Sequence, residues 1–284
     1  MVTEVHRSEI ALGTRFEFGK NWEKFLRSLD ESRILEAERS IKHMLQTEDL
    51  KGIRFLDIGS GSGLFSLAAR RSGATVHSFD YDLRAVACTE ELKRRYFPGD
   101  SSWTIERGDI LDTPYISQLG KYDVVYSWGV LHHTGNMWEA LQNVIPLVAE
   151  KGILFISIYN DQGFLSQFWK SVKKRYNRSS KPLRALILLW AGLLLQTGAA
   201  VVRVLQGQNP LPFKFWSEKK KARGMSVWHD LVDWVGGYPF EVAKPEEIFD
   251  FYRRNGFILV KLKTCGGGLG CNEFVFCREA EKIT

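Results

Sequence analysis

The segment Leu56-Asp57-Ile58-Gly59-Ser60-Gly61-Ser62-Gly63 restricts the fold of this chain more than any other. Residues 53–58 read as a short apolar strand, and residues 64–72 read as a helix that stops at Gly73. Three glycines at alternate positions between them require a tight turn, because glycine enters positive φ without steric penalty and lets the backbone approach a ligand. The same punctuation then repeats. Strands are expected at 75–79, 103–107, 122–127 and 152–159, with helices at 83–96 and 138–148. After an interruption, a helix over 245–255, a strand over 257–263 and a closing strand over 273–277 complete the series. Strands alternating with helices imply right-handed crossovers and a mostly parallel sheet covered on both faces. The last two strands are joined too closely for a crossover, so they form a hairpin. The expected fold class is therefore α/β: a Rossmann-like, seven-stranded, mostly parallel sheet with an antiparallel last strand, plus N-terminal helices and a helical insert.

Residues 1–50 begin irregularly and become helical, since Trp22, Phe25, Leu26 and Leu29 recur at helical spacing, as do Ile34, Leu35, Ile41 and Leu45. The chain divides into this N-terminal segment, a core over 51–161, an insert over 162–224, and a segment over 225–284 that supplies a pocket wall and the closing strands. The net charge of +6 is concentrated. Gln162 to Gly224 carries thirteen Lys and Arg against one acid, Glu218, while the remainder is net acidic. Seven of those bases fall between Lys170 and Arg184, and residues 185–202 then run without a charge. A helix of eighteen residues spans ~27 Å, short of a ~30 Å hydrocarbon core. Three readings stay open for it: a buried helix, a helix lying on an anionic membrane through 170–205, or a span. The four cysteines show no paired metal-knuckle spacing, and no metal site is evident. No apolar leader follows the basic start, so the expectation is a cytoplasmic protein, peripheral on the inner face of the membrane if the insert docks there.

The turn alone could serve a dinucleotide, whose pyrophosphate sits on a helix N-terminus. Two details favour a different ligand. The spacing is G-x-G-x-G, and an acid, Asp57, stands at the strand end. A carboxylate there suits a ligand carrying an ammonium and a sulfonium better than one carrying two phosphates. Asp80 ends the second strand, where an acid can accept from both ribose hydroxyls, and Tyr81 beside it can pack on adenine. After the third strand, Asp109 can accept from an adenine amino group and Ile110 offers its backbone N–H. Each acid taken alone could equally be a solvated turn residue or a helix cap.

With these residues in place, the chain resembles the class I S-adenosylmethionine-dependent methyltransferases, in particular the small-molecule branch that includes ubiquinone-biosynthesis O-methyltransferases. The resemblance covers residues 51–159 and returns at 245–277. It implies S-adenosyl-L-methionine as cofactor, with Asp57, Gly59, Gly61 and Gly63 in the first motif, Asp80 on the ribose and Asp109 on the adenine. It makes Phe16 to Trp22 an N-terminal lid over the donor, so Trp22 joins the cofactor set. Ser127 to His133 resembles the segment after the fourth strand, where that family commonly has a histidine at the position of His133.

Ligands of open α/β sheets bind beyond the carboxyl ends of the strands. Asp57, Asp80, Ser127 to His133 and Tyr159-Asn160-Asp161 should share one mouth, and the glycine-rich loop 266–270 should reach it. For a hydroxyl acceptor the protein must position the nucleophile and remove its proton. His132, His133 and His229 are candidate bases, with His133, His229 and its neighbour Asp230 preferred; a pair of packed loop histidines is the competing reading for His132 and His133. His229 and Asp230 lie in a stretch from Met225 to Glu241 dense in aromatics, glycine and acids, which suits a pocket wall. The leading function is methylation, chiefly on oxygen, of a small or lipid-linked metabolite. RNA methylation through the basic insert is a second reading, disfavoured because the bases flank an apolar run rather than interleave with it. A non-catalytic donor-binding scaffold is a third.

Overall fold

The computed structural model describes residues 2–205, 207 and 227–279. Three helices come first: α1 (Val2–Ala11), α2 (Phe18–Leu26) and α3 (Glu31–Leu45). The core follows as β1 (Arg54–Ile58), α4 (Leu64–Arg71), β2 (Thr75–Asp80), α5 (Leu83–Tyr96), β3 (Trp103–Arg107), α6 (Thr113–Ile116), β4 (Tyr122–Trp128), α7 (Met137–Val144) and β5 (Val148–Tyr159). Then come α8 (Phe164–Arg178), α9 (Lys181–Leu205), α10 (Val227–Gly236), α11 (Pro245–Arg254), β6 (Phe257–Lys263) and β7 (Cys271–Arg278).

The strands form one seven-stranded sheet in the order β3-β2-β1-β4-β5-β7-β6. The first five pair in parallel, and β7 runs antiparallel between β5 and β6. Strand order reverses direction between β1 and β4, which opens a crevice at their carboxyl ends. Alternation along the strands fills both faces. Leu56, Ile58, Val125 and Ile156 face one helical layer, and Phe55, Val124, Tyr126 and Phe155 face the other. Ile34 and Ile41 of α3 have no exposed surface. Burying each is worth about 1.5–3 kcal/mol, which fastens the N-terminal helices to the sheet.

Local signals set the helix boundaries. Asp30 and Asp82 each accept a backbone N–H at the start of α3 and α5. α11 opens on Pro245 with Glu246 and Glu247 in its first turn and closes with Arg253 and Arg254 in its last, matching the helix dipole. The two largest differences from the sequence reading lie at the N-terminus and after α7. The chain is helical from Val2, because tertiary partners hold α1: Glu9 pairs with Arg15 at 2.7 Å, and His6 packs edge-on against Tyr81. The helix expected over 138–148 ends at Val144, and Ile145–Leu147 forms a 3-10 turn. Pro146 has no N–H to continue the helix, so β5 starts earlier, at Val148.

The described part of the insert is helical. One side of α9 packs inward, with Leu188 and Ala191 buried against Trp169 and Val235. The other side exposes Leu186, Leu189 and Leu193, each about 60% accessible. Among the described residues no helix is long and apolar enough to cross a membrane. Residues 206 and 208–224 of the insert, and residues 1, 225–226 and 280–284, lie outside the described residues.

Candidate functional site

The turn after β1 has the backbone that its glycines were expected to supply. Gly59, Gly61 and Gly63 have φ of 75°, 57° and 78°. A Cβ on Gly59 would fall 2.4 Å from the Val130 side chain, and one on Gly63 would fall 2.8 Å from the Thr89 backbone. No larger residue fits either position without displacing a neighbour.

Asp57 lies at the end of β1, almost wholly buried. Trp103 Nε1 donates to Ser78 Oγ at 2.9 Å, Ser78 donates to Ser66 Oγ at 2.8 Å, and Ser66 donates to the Asp57 carboxylate. Burial pushes Asp57 up to about 7, against the pull of the Ser66 hydrogen bond and with a further push from Asp80. No basic side chain offsets that rise. Asp80 ends β2 and accepts from the N–H groups of Gly61 and Asp82, both at 2.9 Å. Burial raises it to about 6. Asp80 keeps some solvent exposure. Two carboxylates held partly protonated at adjacent strand ends form an electrostatic demand for a cationic ligand.

The N-terminal helices cover this mouth. Trp22 of α2 lies over Gly61, near enough that a Cβ there would be 3.1 Å from its indole. Gly19 donates its N–H to Asp82 at 2.9 Å. Tyr81 is enclosed by His6, by Arg15 at 4.8 Å and by Arg107 at 5.4 Å from its ring, and its hydroxyl donates to Glu9. Asn21 donates to Asp233 of α10, and the Phe16 N–H donates to the Tyr238 carbonyl at 2.8 Å. The segment from Phe16 to Trp22 is thus tied to both the glycine turn and the aromatic stretch after the insert.

The remaining expected donor contacts are locally engaged. Asp109 accepts from the Leu111 N–H at 2.9 Å, the turn-capping role that any isolated acid there could play. Ile110 buries its side chain in the core, and its carbonyl accepts from Asn143. Ser127 is buried and donates to the Ile58 carbonyl at 3.1 Å, joining β4 to the glycine turn.

Past Val130, which packs on Gly59, the chain makes a 3-10 turn over Leu131–His133. Both histidines are buried. His133 Nδ1–H donates to the Pro239 carbonyl at 2.6 Å, which leaves the lone pair on Nε2. Burial lowers His133 to about 3, so the ring is neutral and a weak base. His132 is pushed well below its ordinary value by burial and by the nearby His133 and Lys173, against a weaker upward pull from the Ser157 backbone. The competing reading of this pair, rings packed on the sheet, therefore describes much of their environment. Tyr159 at the end of β5 packs 4.1 Å from the His132 ring and 5.4 Å from Trp234. The loop after β6 reaches the same edge, where Gly270 accepts from the Asn160 N–H at 3.0 Å. His229 and Asp230 lie on α10, but their side chains are outside the described residues.

One residue at this edge escaped the sequence reading. Lys173 was counted among the basic run, yet it has no exposed surface. Its signal was the helical stripe Trp169, Lys173, Tyr176, Asn177, which puts the lysine on the buried side of α8. Among the described residues no group of three His, Cys, Asp or Glu side chains is arranged for a metal ion. An open groove of about 600 Å3, lined by Lys93, Arg94 and Trp103, lies at the amino end of β3, away from this mouth.

Comparison with known proteins identifies the family and the fold. Residues 29–205 match the profile of a family described as methyltransferase domain. The chain is 25% identical over 179 residues to a chloroplastic magnesium protoporphyrin IX methyltransferase of Arabidopsis thaliana, covering 59% of this chain and 55% of that one. It is 30% identical over 115 residues to a ubiquinone biosynthesis O-methyltransferase of Glaesserella parasuis, covering 40% of this chain and 49% of that one. The chain thus spans about half the length of the curated relatives it matches. Among solved structures, a magnesium protoporphyrin IX methyltransferase from Synechocystis with bound S-adenosylhomocysteine superposes with a TM-score of 0.54 at 14% identity, over 92% of this chain and 94% of that one. That likeness is one of fold.

Proposed function

Because the chain belongs to the methyltransferase domain family, we propose that it transfers the methyl group of S-adenosylmethionine to an oxygen of a small or lipid-linked acceptor. The observation that carries the reading is Asp57: a buried carboxylate beside a glycine cradle, raised to about 7 with no basic side chain to offset it. A ligand that brings its own positive charge satisfies that carboxylate. The backbone of Gly59, Gly61 and Gly63 lets the methionine portion approach, Asp57 faces its ammonium, and Asp80 takes the ribose hydroxyls. Trp22 and Tyr81 enclose the donor from the lid side, with Asp109, Ile110 and Ser127 completing the surround. When bound, the donor supplies an electrophilic methyl group. The protein's own task is to exclude water, orient the acceptor and accept its proton.

In this scheme residues 1–50 are the lid, 51–161 the donor-binding core, 162–224 the insert, and 225–284 the acceptor wall and closing strands. His133 orients the acceptor, with His229 and Asp230 on the same wall. The exposed leucines of α9, next to the bases of α8, suit an anionic membrane surface and a lipid-linked acceptor.

The test is calorimetric titration of the full chain with S-adenosylmethionine and S-adenosylhomocysteine. Both should bind at micromolar or better affinity, and Asp57→Ala should weaken binding of S-adenosylmethionine by at least about tenfold, the loss of a charge-assisted hydrogen bond. No heat with either compound would end the proposal.

A further inference from the structure

Lys173 is a buried amine that the donor cradle does not use. Its Nζ donates to the Trp234 carbonyl and lies 4.1 Å from the Trp234 ring centroid, 4.6 Å from Phe240 and 5.9 Å from Tyr159. Asp233 and Cys271 favour its charged form, while His132 and His133 are disfavoured as cations by its presence. The same group of contacting rings holds polar atoms with no hydrogen-bond partner among the described residues. These are the Ser157 hydroxyl, Trp234 Nε1 and at least one ring nitrogen of His132, whose ring is otherwise drawn to the Ser157 backbone. A buried polar atom left without a partner is destabilising, so several of them in one neighbourhood point to a polar occupant that is not a side chain. Aromatic faces around an amine select a flat ring bearing an anionic oxygen.

We propose that Lys173 is a catalytic residue on the acceptor side: its amine takes the proton of an acidic aromatic hydroxyl and then holds the resulting oxyanion, while Tyr159, Trp234 and Phe240 clasp the ring. The inference rests on the methyltransferase reading. In the step, the acceptor's O–H bond breaks, the proton goes to the Nζ lone pair, and the electron pair stays on oxygen as the nucleophile. The ammonium returns its proton to solvent after methylation. Burial lowers the amine to about 7, so a large share is neutral at working pH, whereas His133, near 3, is a far weaker base. Lys173 and His132 have no exposed surface, so entry of an acceptor requires α10 to move; Asn21 and Phe16 contact that helix at Asp233 and Gly236.

The probe is 4-nitrophenol, titrated into the full chain loaded with S-adenosylhomocysteine and followed by the visible band of its phenolate. The wild type should bind it as phenolate at a pH where the free probe is still largely protonated. Lys173→Met should keep the wild-type melting temperature and affinity for S-adenosylhomocysteine, yet bind the probe at least about tenfold more weakly and without the phenolate band. Lys173→Arg keeps a fixed cation. It should retain the phenolate band and the rise in binding that follows the probe's own ionisation, but lose the fall at higher pH that deprotonation of Lys173 causes in the wild type, and this arm stands if the Met variant does not fold. An equal phenolate band in Lys173→Met, or no binding of 4-nitrophenol by the loaded wild type, overturns the assignment while leaving donor binding intact. Failure of S-adenosylhomocysteine itself to bind removes the underlying reading and the assignment with it.

Discussion

At the scale of single residues, two carboxylates set the pH behaviour of the proposed donor site. Asp57 moves from an ordinary 3.8 to about 7 and Asp80 to about 6 on folding without ligand. A raised folded pKa means that the folded state binds the extra proton. The contribution of each acid to stability is therefore complete below its unfolded value and is lost as pH rises through the folded one. A cationic donor reverses the preference, since it favours the ionised form. Melting temperature without ligand should fall between about pH 4 and about pH 7 and level off above, while the increase produced by S-adenosylmethionine should grow over the same window. Asp57→Asn should flatten both trends. Thermal melts with and without donor check this, and a donor response independent of pH would contradict the electrostatic reading. The oligoglycine turn acts at the same scale, because Gly59 and Gly63 leave room for Val130 and Thr89 that a methyl group would occupy.

At the scale of elements, α8 and α9 divide the basic, apolar insert into inward and outward parts. Of the seven bases between Lys170 and Arg184, Lys173 is buried and Arg184 donates to the carbonyls of Tyr176 and Asn177. Lys170, Lys174, Arg175, Arg178 and Lys181 remain exposed. On α9, Leu186, Leu189 and Leu193 form an outward row, with Trp190 and Leu194 beside it. Withdrawing each leucine from water into an apolar layer is worth about 1.5–3 kcal/mol, and nearby bases add attraction to acidic lipid. The full chain should float with vesicles containing phosphatidylserine and less with phosphatidylcholine alone. Replacing Leu186, Leu189 and Leu193 together by Ser should reduce flotation by at least about tenfold while leaving S-adenosylhomocysteine affinity unchanged. Equal recovery of wild type and triple variant in the floated fraction would exclude α9 as the contact.

At the scale of the whole molecule, the N-terminal helices, the core and α8 of the insert meet around one mouth. α2 touches the donor turn through Trp22 and Gly61, and α10 through Asn21 and Asp233. Donor binding should therefore tighten residues 2–26 as a unit. Hydrogen exchange should slow in that segment on adding S-adenosylhomocysteine, and unchanged exchange there would separate the lid from donor binding. The order of strands, the terminal hairpin and the glycine turn were legible in the chain because each depends on local rules: residue periodicity, the φ freedom of glycine, and loops too short for a crossover. Asp57 and Asp80 were legible as candidates for the same reason, since they end consecutive strands. Their raised pKa values were not, because desolvation depends on everything packed around a group. Lys173 shows the difference most sharply. A single buried lysine in a run of bases reads as solvent-exposed charge until α10 and the Tyr159 edge close around it. The amino-acid sequence by itself determined the sheet, its switch point and the donor turn, all products of neighbouring residues. Tertiary structure alone decided which side chains lose water and which rings meet, because those follow from contacts between segments far apart in the chain.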